Sequence, residues 1–166
     1  MSVRSASLLS NELALDAASL ATRLGLAPSR WRPLVRHEPG VRRYVPLPDL
    51  GCDAWVITWP PGTGLPRHDH GGAAGAMAVV EGTLVERHAR RWAPATIRRR
   101  VLDTGSVVAF GPDHIHEVRN DGVVPAVSIH VYAPSLETMH FYADDPRDDL
   151  TFSSHDGADG SPEVAR

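Results

Sequence analysis

From residue 41 onward the chain breaks into short β-prone segments, each closed by Gly, Pro, Asp or Asn, and this rhythm limits the fold more than any other feature. The segments fall at residues 41–45, 53–59, 76–80, 83–90, 96–101, 106–110, 116–120 and 126–132. No helical stretch separates them, so they close into an antiparallel sandwich or barrel and not into a parallel sheet with crossover helices. A small barrel of this kind keeps a ligand cavity in its mouth. The 14 glycines and 14 prolines supply the turns.

Ahead of the strands, Leu9, Leu13, Leu20 and Leu24 recur at helical spacing, with Ser10 or Asn11 available as cap and Gly25 as terminator. A shorter helical piece follows Pro28, so residues 1–40 form a helical segment packed on the outside of a 41–152 barrel, with 1–7 a loose leader. Residues 153–166 are small and charged and read as a disordered tail. With 166 residues, this is one domain overall. A hydrophobic content of 42% and a net charge of −3 exclude disorder as the general state and give no nucleic-acid surface. Cys52 is the only cysteine, which excludes an internal disulfide framework and suggests a reducing, cytoplasmic setting. No apolar run reaches membrane length, and the expected assembly is a monomer or weak homo-oligomer.

The chemistry concentrates in two glycine-led stretches. In the first, running from Gly62 to Gly82, His68 and His70 stand one residue apart in a strand-like setting, so alternation turns both imidazoles to one face. Two such nitrogens suit one metal ion, and a third must come from elsewhere. The second stretch, from Gly105 to Asn120, offers His114 and His116, two residues apart and able to share a face. Asp69 should point away from the metal as a solvated turn carboxylate.

These stretches resemble the two motifs of the cupin superfamily. Against G-x5-H-x-H-x3-4-E-x6-G, the residues Gly62, His68, His70 and Gly82 fall on the pattern, while Gly75 stands at the glutamate position. Against G-x5-P-x-G-x2-H-x3-N, Gly105, His116 and Asn120 fit, and Gly111 and Asp113 stand at the Pro and Gly places. This spacing selects His116 over His114 as ligand. The implied fold is an all-β core with N-terminal helices, a jelly-roll-like double-stranded β-helix.

More narrowly, His68-Asp-His70, the missing glutamate at Gly75, His116 to Asn120, and the run Ser128, His130, Tyr132 resemble the cysteine dioxygenase family of thiol dioxygenases. The resemblance implies one Fe(II) held by His68, His70 and His116, with Ser128, His130 and Tyr132 placing a tyrosine hydroxyl beside the bound thiol. Members from animals carry at the Gly75 position a cysteine that crosslinks to this tyrosine, and glycine there permits no crosslink. The family's arginine for the substrate carboxylate falls on Arg42, although its neighbouring tyrosine is missing and Tyr44 sits on the wrong side. His114 is expected to line the pocket.

The implied reaction converts a small thiol, such as cysteine or 3-mercaptopropionate, and O2 to a sulfinic acid. Three neutral imidazoles leave the cation its full charge, which favours a thiolate. A non-catalytic cupin sensor, or another metal-cupin oxygenase or isomerase, is the alternative; the first needs no Ser-His-Tyr relay and the second usually keeps the glutamate. The arginines at 87, 90, 91, 98, 99 and 100 read as the exposed ends of a hairpin, without a nucleic-acid partner.

Overall fold

A computed structural model of the chain describes residues 3–48, 50, 52–142 and 149–152. A long helix α1 (Val3–Gly25) leads into the short α2 (Pro28–Trp31) and a 3₁₀ turn (Arg32–Leu34). The strands follow as β1 (Arg43–Pro46), β2 (Asp53–Trp59), β3 (Gly64–His68), β4 (Ala74–Glu81), β5 (Thr83–Arg90) and β6 (Ala93–Asp103). After them come β7 (Val107–Phe110), β8 (His114–Arg119), β9 (Ala126–Ala133), β10 (Met139–Tyr142) and β11 (Asp149–Phe152). One sheet has the order β1-β2-β9-β4-β7 and the other β11-β10-β3-β8-β5-β6, with every pairing antiparallel.

Two apolar layers hold these sheets in place. Inside the barrel, Ile57, Trp59, Met77 and Val79 from the five-stranded sheet meet Leu65, Leu84, Leu102 and Val118 from the other. Outside it, α1 lies on the five-stranded sheet through Ala17, Ala21 and Leu24, against Ala54, Val56, Ala76, Ala78, Val127, Ile129 and Val131. Small residues on both sides let the helix approach the sheet closely. Strand β9 is therefore buried on both faces. Alternation sends Val127, Ile129 and Val131 out to the helix and leaves Ser128, His130 and Tyr132 facing inward.

Several expectations are corrected. The helix begins at Val3, inside the stretch read as a leader, and its buried face is Ala14, Ala17, Ala21 and Leu24. Leu9 and Leu13, which belong to the leucine spacing, are 50% and 37% exposed. Strand β3 carries Gly64 and Pro66, turn-forming residues that hid it, and β10 and β11 lie beyond the last segment the pattern marked. Strand β8 starts at His114 and not at His116. The expected tail, 153–166, lies outside the described residues. No helix among the described residues is long and apolar enough to cross a membrane.

Gly75 shows how tightly the inner face is filled. It pairs in register with Phe110 on one side and Tyr132 on the other. A Cβ there would run into the Val131 carbonyl and come within 2.8 Å of the Phe110 ring. We expect Gly75→Ala to destabilise the protein by about 1–3 kcal/mol, the usual cost of overpacking. A thermal midpoint unchanged from wild type would show that the Phe110 ring yields freely.

Candidate metal centre

The centre is built where β3 ends. His68 is the last residue of that strand, and a tight turn through Gly71 (φ 58°) and Gly72 (φ 97°) follows His70. Both glycines have left-handed backbone, and a Cβ on Gly71 would meet the Thr138 carbonyl oxygen at 2.7 Å. Strand β8 supplies His116 directly opposite His68. The three rings stand with centroids 5.1, 4.6 and 4.9 Å apart, each at most 2% exposed.

Hydrogen bonds fix which nitrogen of each ring is free. His68 Nδ1 lies 2.7 Å from the Pro66 carbonyl and His116 Nδ1 lies 2.8 Å from Glu86 Oε1. Both partners are acceptors, so both Nδ1 atoms carry the proton and both Nε2 atoms present lone pairs. Those two Nε2 atoms face each other at 3.1 Å. Neither nitrogen of His70 has a hydrogen-bond partner, although both are buried. Burial, and after it the nearby His116 ring, holds the His68 and His70 imidazoles well below their ordinary range, so these two rings are neutral. Converging lone pairs with orphaned ring nitrogens fit a cation, and one nitrogen from each of the three rings lies within 4.8 Å of the others.

Glu86, His114 and His116 form a second group within the same limit. Its short contacts are ordinary N–H···O bonds: Glu86 Oε1 accepts from His114 Nε2 at 2.9 Å and from His116 Nδ1 at 2.8 Å. Oε2 accepts from Arg100 Nε. Burial by itself would raise the Glu86 carboxyl, but these histidine hydrogen bonds bring it far below the usual carboxylate range. Glu86 engages His116 on the edge opposite Nε2, so it stands behind that ring and does not join the three-histidine group.

From the opposite sheet, Trp59 Nε1 donates to Ser128 Oγ at 2.8 Å, and Ser128 Oγ lies 2.9 Å from His130 Nε2. His130 Nδ1 lies 3.3 Å from the Tyr132 hydroxyl. Indole N–H only donates, so Ser128 Oγ accepts from Trp59. In the tautomer with the proton on His130 Nδ1, the serine hydroxyl donates to Nε2 and Nδ1–H donates to the Tyr132 oxygen, which leaves the tyrosine proton to be given away. Burial lowers His130 to about 3, which keeps the ring neutral for this role. Burial also raises the Tyr132 phenol, which is therefore a donor and not a phenolate. The Tyr132 ring lies 5.4 Å from His70.

Arg42 and Tyr44 sit beside this chain. The Arg42 guanidinium is 5.5 Å from both the Tyr44 and Trp59 rings. Tyr44 follows Arg42 in the sequence, and alternation over two residues brings the two side chains together. Arg42 Nη1 and the Tyr44 hydroxyl are both buried without a hydrogen-bond partner.

The family model for cysteine dioxygenase type I matches residues 27–145. The chain belongs to that family. Among solved structures, the TT1209 protein of Thermus thermophilus is 23% identical with a TM-score of 0.54, covering 63% of this chain and 93% of that one. A conserved protein with a double-stranded β-helix domain from Klebsiella pneumoniae is 18% identical with a TM-score of 0.54, covering 68% of this chain and 94% of that one. At these identities the two likenesses establish the fold alone.

In this member of the family, two acids around the centre were misread or missed. Asp69 does point away from the three rings, but it is fully buried, not solvated. It accepts from Gly71 N–H and His140 Nδ1, each at 2.8 Å, and from Arg91 and the Tyr142 hydroxyl. His140, distant in sequence, is thereby tied to the histidine turn. Arg91 and Arg100 of the basic cluster are not merely exposed hairpin ends, since each reaches back to a buried carboxylate. Glu86 was missed. The signal was its parity: Leu84, Glu86 and His88 alternate on one face of β5, and Leu84 is fully buried.

Two outcomes test this geometry. His116→Ala should abolish metal retention whereas His114→Ala should not, checked by metal analysis of both purified variants; loss in both would move the centre to the second group, and the reverse would overturn the choice of His116. In chelator-treated protein, His68, His70, His114 and His130 all have lowered values, so the unfolded chain binds protons first and stability falls as pH drops below about 6.5. A thermal midpoint that stays flat from pH 7 to 5 would mean the rings are solvated.

Proposed function

We propose that this protein is an iron-dependent thiol dioxygenase, joining both atoms of O2 to the sulfur of a small thiol to give its sulfinic acid. The balance is RSH + O2 → RSO2H, with no further reductant. The observation that carries this reading is the buried, carboxylate-free set of His68, His70 and His116, with the Tyr132 hydroxyl presented from the facing sheet. Fe(II), when bound, would supply the electron transfer between a thiolate and dioxygen. Membership of the cysteine dioxygenase type I family supports that choice over other metals.

The chain's own residues do the rest. Arg42 Nη1 and the Tyr44 hydroxyl, both buried donors without partners, take the substrate carboxylate, for which a planar guanidinium is suited. Tyr132 offers its proton to the reacting oxygens, and His130, Ser128 and Trp59 hold that hydroxyl in direction. His114 has its Nε2 held by Glu86 and its ring stacked on Phe110 and His88, which leaves only its Nδ1 for a substrate. A sensor has no use for a hydroxyl oriented this way, so the relay favours catalysis.

The test is oxygen uptake by iron-loaded protein with cysteine, 3-mercaptopropionate and cysteamine. Uptake of one O2 per thiol with formation of the sulfinate is expected for at least one acid substrate; none with any thiol at full iron loading would refute the proposal. Arg42→Gln should raise KM for the carboxylate-bearing thiols by roughly ten- to a hundredfold, the equivalent of a lost charged hydrogen bond. It should leave cysteamine, which has no carboxylate, unaffected. Equal effects on all three would remove Arg42 from the carboxylate site.

A further inference from the structure

Strand β8 turns His114 and His116 to the same side, so alternation alone makes them equivalent candidates for the third ligand. Register already sets His116, and not His114, opposite His68, and a single buried oxygen adds a second difference between them. Glu86 Oε1 takes His116 by Nδ1 and leaves Nε2, the ring-tip nitrogen, aimed at His68 Nε2. The same oxygen takes His114 by Nε2, so that its ring tip is already occupied. Glu86 cannot exchange its two oxygens freely, because Arg100 Nε engages Oε2 from the neighbouring strand, where Arg100 pairs in register with Glu86. Val118 stands in register on the other side and closes the position with apolar packing.

The geometry points to Glu86, fixed by Arg100, as the positioning residue that makes His116 a ligand and withholds His114. This inference rests on the three-histidine metal centre and not on the thiol reaction. A carboxylate behind a ligating imidazole sets the tautomer and orientation of the ring and strengthens it as a donor. Here the same group also removes a competing ring. Glu86 thus reinforces the choice of ring that the register of β8 on β3 makes.

The experiment needs no turnover. Chelator-treated wild type and Glu86→Leu are titrated with Co(II) against a competing chelator, and the zinc-loaded proteins are read by long-range 1H–15N correlation of the imidazoles. In wild type, His116 is expected to carry its proton on Nδ1 and the metal on Nε2. In Glu86→Leu, the Co(II) dissociation constant should rise about 10- to 100-fold, and the Nδ1–H signature of His116 should be lost while circular dichroism stays unchanged. Glu86→Gln, whose amide oxygen still accepts from His116, should recover part of both.

Wild-type affinity together with an unaltered His116 tautomer in Glu86→Leu would overturn the role of Glu86 while leaving the metal centre intact. Should the leucine variant not fold, Glu86→Gln and Arg100→Leu carry the test. Each is expected to weaken Co(II) binding several-fold, and unchanged affinity in both would overturn the inference. A wild type that binds no Co(II) would remove the metal centre itself, and this inference with it.

Discussion

Two imidazole Nε2 atoms face each other at 3.1 Å in a water-excluded interior, a contact that a cation or a proton between them relieves. The hydrogen bonds that create this arrangement come from opposite directions. The Pro66 carbonyl, local to β3, orients His68, and Glu86, two strands away across the sheet, orients His116. Neither ring can relieve the contact by exchanging its proton, because each Nδ1 already donates to an acceptor that has no proton to return. His70 then adds a third ring, stacked on Phe110 at 4.6 Å. Its orientation comes from packing and not from a hydrogen bond, which leaves both its nitrogens uncommitted.

The barrel gives this centre an asymmetric surrounding. His68, His116 and Glu86 belong to the six-stranded sheet, while Phe110, Ser128, His130 and Tyr132 belong to the other. The relay on β9 can be polar on its inner face only because α1 covers the outer face with apolar contacts, so that the strand is anchored without using the side chains at 128, 130 and 132. The helix thus contributes to the site without touching it. Gly75 performs a similar service by absence of a side chain, since the Phe110 ring occupies the space a Cβ would need and from there stacks on His70.

Much of this was legible in the residues, for definable reasons. Positions of strands β2, β5, β7 and β9 follow the alternation and turn signals closely. His68 and His70 are marked by a spacing that strand geometry makes meaningful, His116 by the cupin motif its stretch resembles, and the fold brings all three together. What escaped was of another kind. Strand β3 includes a glycine and a proline, so local propensity argued against it while pairing with β8 and β10 overrode that preference. Asp69 looked like a solvated turn residue because its partners, Arg91, His140 and Tyr142, are distant in sequence. The helix was found through its leucines, yet its buried face is mainly alanine, because the surface it covers is itself alanine-rich and permits only a close approach.

The arginine-rich hairpin also takes a different meaning in the fold. A carboxylate as close to the centre as Glu86 would, if uncompensated, place a negative charge behind His116 and reduce the attraction of the site for an anionic ligand. Arg100 is paired with that carboxylate, as Arg91 is paired with Asp69 on the flank of the histidine turn. Each buried acid is thereby balanced by a cation reaching in from the surface, and neither carboxylate joins the three rings. Charge on the two acids is consumed in holding β5, β6 and the histidine turn together, so a cation held by three neutral rings keeps its own positive charge for whatever enters the barrel mouth. A centre of this kind favours an anion such as a thiolate more strongly than one in which a carboxylate completes the ligand set. This is the electrostatic consequence of glycine at position 75 and of glutamate at 86.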